Sequence, residues 1–221
     1  MSAPVDSLKV RLLDATEPLA ELMAPAITLA TMVRHRRMAA WIRREYEGYA
    51  PETNLPGYRY DVRGQIVARS PQYGWIPAPV DRHQLAQFGR LNLYEGVAAL
   101  ERTCMNGRRG NSHRVALPPA ELQNLQQKLN LSAELAINLS RDRYCDIIRT
   151  IRGTLYLWTL EMADAGLTGN LNSSTTEELE RAARLDQPDH FWREAMVSLQ
   201  KLPIPAVREA GFLERMFGRV G

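Results

Sequence analysis

Arg108 and His113 are the pair in this chain best suited by residue type to act on a phosphodiester. An imidazole exchanges protons near neutral pH, and a guanidinium neutralises charge on a phosphoryl oxygen. They lie in the polar stretch from Asn106 to His113, NGRRGNSH, which predicts loop. Arg184 and His190 have a similar spacing, but Pro188 between them would interrupt a helix. The run from Gly107 to Gly110, GRRG, would let backbone approach a phosphate closely, although no clear helix follows it. Arg102, Arg108, Arg109 and Arg114 could contact phosphate together with Arg34, Arg36 and Arg37 if folding gathers them.

The Arg108 and His113 spacing resembles the motif of HEPN ribonucleases, from which it departs in its loop setting, because that motif presents both residues from a helix. Metal chemistry has little support. His35, His83, His113 and His190 are widely separated, and Cys104 and Cys145 form no ligand pair. No phosphate-binding P-loop, dinucleotide fingerprint or nucleophile elbow is present, so no cofactor is expected.

A chain of 221 residues is long enough for one large domain or for one domain with a smaller appendage. Of 28 basic residues 25 are arginine, which permits contact with phosphate or carboxylate partners; genome composition produces the same bias. No apolar run approaches the roughly 20 residues of a membrane-spanning helix. The first residues do not read as a secretory signal. With two isolated cysteines read as reduced thiols, these features predict a cytoplasmic protein without a transmembrane segment.

The hydrophobic pattern predicts a mainly α fold, a multi-helix bundle with a small β-hairpin near residues 58–69. Thr16, Glu17 and Pro18 read as the start of a helix that Pro25 should kink or break. The next stripe, Ile27, Ala30, Val33, Met38, Trp41, Ile42 and Tyr46, turns a basic face outward. Gly48 is placed to end that helix at positive φ. Alternation through Tyr58, Tyr60 and Val62, then Ile66 to Ala68, suggests the hairpin, and Ser70 to Pro79 an ordered loop. Steps of three and four join Cys145, Ile148, Ile151, Leu155, Trp158 and Met162 in a core helix. Another helix should carry Phe191, Trp192, Met196 and Leu199. The chain divides on this reading into a helical domain over 5–167, a linker over 168–176 and a helical extension over 177–221.

Trp41, Glu45, Gly48, Tyr49, Leu55, Pro56, Tyr58 and Arg59 resemble the tryptophan, glutamate, Gly-Tyr and Leu-Pro-x-Tyr-Arg signature of the AbiTii domain. Ile147, Ile148, Arg152, Leu155, Trp158, Leu160 and Glu161 resemble that family's late helix. Tyr46 and Glu47 depart from an expected leucine and asparagine. The resemblance implies a helical domain of bacterial conflict systems connected with phage defence, and it designates no active site. By type, the signature residues read as structural: Trp41 packs, Gly48 turns and Pro56 sets the loop. Glu45 and Arg59 are either part of a polar site or a structural ion pair.

Three functions remain in view. The first is an abortive-infection effector or accessory subunit acting through macromolecular contacts. The second is an RNA-directed nuclease using Arg108 and His113. The third is an adaptor that docks a partner through the apolar face of Phe212, Leu213, Met216 and Phe217. A protein partner or a second copy is expected, and nucleic acid is a further candidate.

Overall fold

The computed structural model describes residues 3–106, 112–168 and 176–209, the side chains of 176–179 excepted. The described chain is mainly α, with short antiparallel strands between the helices. Its axis is helix α7, Arg141–Asp164, named here by its place in chain order. The predicted stripe of Cys145, Ile148, Ile151, Leu155, Trp158 and Met162 is buried along its length. Against it pack α1 (Pro4–Leu12), α5 (Val97–Asn106) and α9 (Pro188–Ser198). Trp41, Trp158, Ala182, Phe191 and Ala195 all belong to one contiguous core. Met196, expected on the inner face of α9, is 42% exposed, and Ala195 takes the buried position beside it.

Helix α2, Leu19–Met32, runs continuously through Pro25, so of the kink or break expected there the break does not occur. Leu19, Leu22, Met23, Ala26, Leu29 and Ala30 bury one stripe of it, and that packing outweighs the roughly 3 kcal/mol a mid-helix proline costs. The chain breaks later, at Arg34, whose φ of 59° ends α2 before α3, Arg36–Glu47, begins. Neither helix is capped by its own preceding side chain. Glu101 of α5 accepts from the amides of Leu19 and Ala20 at 2.8 and 3.1 Å. Asp186, just past α8 (Thr176–Arg184), accepts from those of Arg37 and Met38 at 3.0 and 2.7 Å. A distant carboxylate thus satisfies each positive helix end. Arg152 of α7 serves the opposite end, donating to the carbonyls of Leu12, Asp14 and Glu17 around the turn between α1 and α2.

The strands correct the expected hairpin. Val62–Arg63 (β1) pairs with Arg90–Leu91 (β4), whereas Gln65–Ser70 (β2) pairs with Gly74–Pro77 (β3), inside the stretch expected to be loop. A four-stranded sheet of order β3-β2-β6-β5 then forms, with Ser112–Ala116 as β5 and Leu135–Ser140 as β6. Ile66, Ala68 and Leu135 bury one face against α6, Pro119–Leu129, and neighbouring loops. Short α4, Arg82–Phe88, starts with an Asp81 and Gln84 capping box.

Cys104 and Cys145 are joined in a disulfide, with Cα atoms 5.4 Å apart, which corrects the expectation of two free thiols. Their separation of 41 in sequence concealed the pairing, because the packing of α5 on α7 brings the two together. No described helix is long and apolar enough to cross a membrane.

Candidate functional site

The signature residues assemble around the carboxylate of Glu45. One oxygen accepts from the hydroxyls of Tyr49 and Tyr58, at 2.5 and 2.6 Å. The other accepts from Nε and Nη2 of Arg59, at 2.9 and 2.6 Å. Nη1 of Arg59 donates to the carbonyls of Leu93 and Glu95, and Trp41 donates to the Tyr58 hydroxyl at 3.1 Å. Local sequence makes this geometry. Glu45 and Tyr49 lie four residues apart at the end of α3, while Pro56 accepts from the amides of Arg59 and Tyr60 and so closes the turn that aims Arg59 inward. Leu55 is half-buried beside that proline.

Both members of the Glu45 and Arg59 pair have fully buried side chains. Burial and then the Glu45 charge push the Tyr49 and Tyr58 hydroxyls well above their ordinary pKa. For Arg59, burial acts to lower the pKa, but the charge and hydrogen bonds of Glu45 outweigh it and the net shift is upward. Both tyrosines are therefore held protonated and the arginine charged. Buried and joined by hydrogen bonds, the cluster locks the α3 exit to the segment around Leu93.

The basic candidates separate into distinct settings. Arg34 and Arg36, joined by Arg43, line a cavity of about 490 Å³ between the end of α2 and the start of α3. Among the described residues these three guanidiniums make no ion pair. Arg37 instead faces Asp189 at 3.8 Å. Arg102 is exposed on α5. Arg114 lies on β5, its guanidinium 4.4 Å from the centre of the Trp75 ring. Register places Arg114 and Trp75 on one face of the sheet, diagonally across the central pair of Val67 and Ala136. That stack explains why Val67 and Ala136 are buried on an otherwise solvent-facing surface.

His113 also lies on β5, on a strand rather than a helix, its ring edge-on to Tyr144 at 5.8 Å. Arg108 and Arg109, with the Gly107 to Gly110 loop, fall outside the described residues. So do Phe212, Leu213, Met216 and Phe217. Arg184 and His190 sit on different helices, separated by Pro188 at the start of α9. Arg43 is not singled out by residue type; its place seven residues and two turns from Arg36 on one helix face is the available signal.

Compared with known protein families, residues 5–187 match AbiTii, a span that takes in the signature cluster, α7 and all of α8. No curated protein and no solved structure matches the chain. With 5–187 covering most of its length, the chain belongs to the AbiTii family.

Proposed function

We propose that this chain is an effector or accessory subunit of an abortive-infection system that limits phage, and that it works through contact with a phosphate-bearing polymer such as RNA. The family name supports the setting. The cavity lined by Arg34, Arg36 and Arg43 supports the contact, since three guanidiniums without an ion pair among the described residues, around about 490 Å³, suit the phosphate backbone of a flexible strand. Nuclease chemistry receives less support, because His113 occupies a strand. The adaptor reading rests on residues beyond the described part.

The test is RNA binding by the full chain at rising salt, set beside protection of a bacterial host against phage. Affinity should fall steeply with salt, and Arg36→Ala with Arg43→Ala should reduce both the slope and the protection. Salt-insensitive binding, or protection unchanged in the double variant, would remove the reading. His113→Ala should leave protection intact; its loss would favour the nuclease instead.

A further inference from the structure

We propose that Glu161, His190 and Glu194 form a binding site for a divalent first-row transition ion, with Zn²⁺ as its representative. Glu161 stands on the last turns of α7, and His190 and Glu194 lie one turn apart on the same face of α9. One ligand atom from each residue lies within 4.8 Å of the others. Around an ion held at about 2.0–2.2 Å such atoms stand about 3–4 Å apart, so side-chain rotation alone closes the site. The backbones are already set. Phe191 and Ala195, each next in sequence to a ligand, are fully buried in the contact between α9 and α7.

Charge gives an independent reason. In this arginine-rich chain the described carboxylates of Asp61, Glu134 and Asp189 each meet a guanidinium, that of Arg90, Arg69 and Arg37 respectively. Glu161 makes no ion pair among the described residues, and Glu194 meets only Nε2 of His190, at 3.5 Å. Two carboxylates and one imidazole therefore converge with no arginine ion pair among the described residues, and a cation would neutralise them. One nitrogen and two oxygen donors suit zinc, manganese or cobalt, whereas magnesium and calcium prefer oxygen alone. Three protein ligands leave a coordination position for water or an anionic group, and the exposure of His190 and Glu194 provides the way in.

Calorimetric titration of Zn²⁺ into the full chain, its disulfide intact, tests the site at about pH 7.5, where imidazole is free to bind. The parent should take up about one equivalent that His190→Ala and Glu161→Gln lose or bind on the order of ten- to a hundredfold more weakly. Zn²⁺ should also raise the thermal midpoint of the parent and of neither variant. Metal-free unfolding of each variant checks its fold, and Glu161→Gln decides the matter should His190→Ala fail to fold. A parent without saturable binding, or a folded variant that titrates like the parent, overturns the site.

Discussion

Trp158 donates its indole proton to Nδ1 of His35 across 3.0 Å, tying the central helix to the turn between α2 and α3 at a point where both side chains are buried. An accepting Nδ1 places the proton of the neutral ring on Nε2. Burial lowers the His35 pKa from its ordinary value, offset in part by the Ala182 carbonyl and the Asp186 charge. The unfolded chain thus binds a proton that the native state refuses. This contribution to stability is whole above the ordinary value of 6.5 and is lost as pH falls below it. The thermal midpoint should therefore drop between about pH 7.5 and 5.5, and drop less in His35→Gln. Identical pH dependence in the two proteins would show that His35 is not the group responsible.

The Glu45 and Arg59 pair should tolerate joint replacement better than single truncation. Arg59→Ala leaves a buried carboxylate without its cation and should cost about 3–5 kcal/mol, as should Glu45→Ala. Tyr58→Phe strands the Trp41 donor, removes one of two hydrogen bonds to a Glu45 oxygen, and should cost about 1–3 kcal/mol. Urea unfolding of the single and double variants measures this. Strict additivity of Glu45→Ala and Arg59→Ala would mean that the two charges do not interact.

Gly48 has φ 99° and ψ 178°, a region essentially confined to glycine, and a Cβ there would lie 2.8 Å from the Tyr94 carbonyl oxygen. Gly96 approaches from the other side, where a Cβ would come 2.4 Å from the Tyr46 carbonyl oxygen. Gly48→Ala should cost on the order of 1–3 kcal/mol and Gly96→Ala a similar amount. Exposed Gly74, which has nothing within 4 Å of its would-be Cβ, serves as the comparison for backbone strain alone. If Gly48→Ala unfolds at the same urea concentration as the parent, close approach at this turn does not matter.

Reduction of the Cys104–Cys145 bond should lower stability by about 4 kcal/mol, the loop-closure value for a separation of 41 residues. Unfolding with and without dithiothreitol, and of Cys104→Ser, provides the measurement. Equal midpoints with and without reductant would indicate that the link carries no weight in the fold.

Periodicity located α7 within two residues of its observed end, because a stripe repeated over nearly five turns admits only one helical face. It failed at β5 and β6. Ser112–Ala116 is an exposed, polar edge strand, and Leu135–Ser140 is buried on both faces over most of its length, so neither alternates. At Pro25 local backbone chemistry predicts a kink or a break, and the apolar stripe on both sides of it is satisfied only if the helix continues. The signature residues were legible as a group, and the glycine at positive φ was legible as a turn. Whether Glu45 and Arg59 served a site or a core was not.

By itself, then, the sequence determined the helical class, the core stripe of α7, the turn at Gly48 and kinship with AbiTii, all of which depend on residue type at short spacing. Tertiary structure decided what distant residues meet. It sealed Glu45 against Arg59, joined Cys104 to Cys145, and carried Glu161 to His190 and Glu194. Such meetings depend on how helices pack, and packing is fixed by the burial of whole faces rather than by the spacing of any pair.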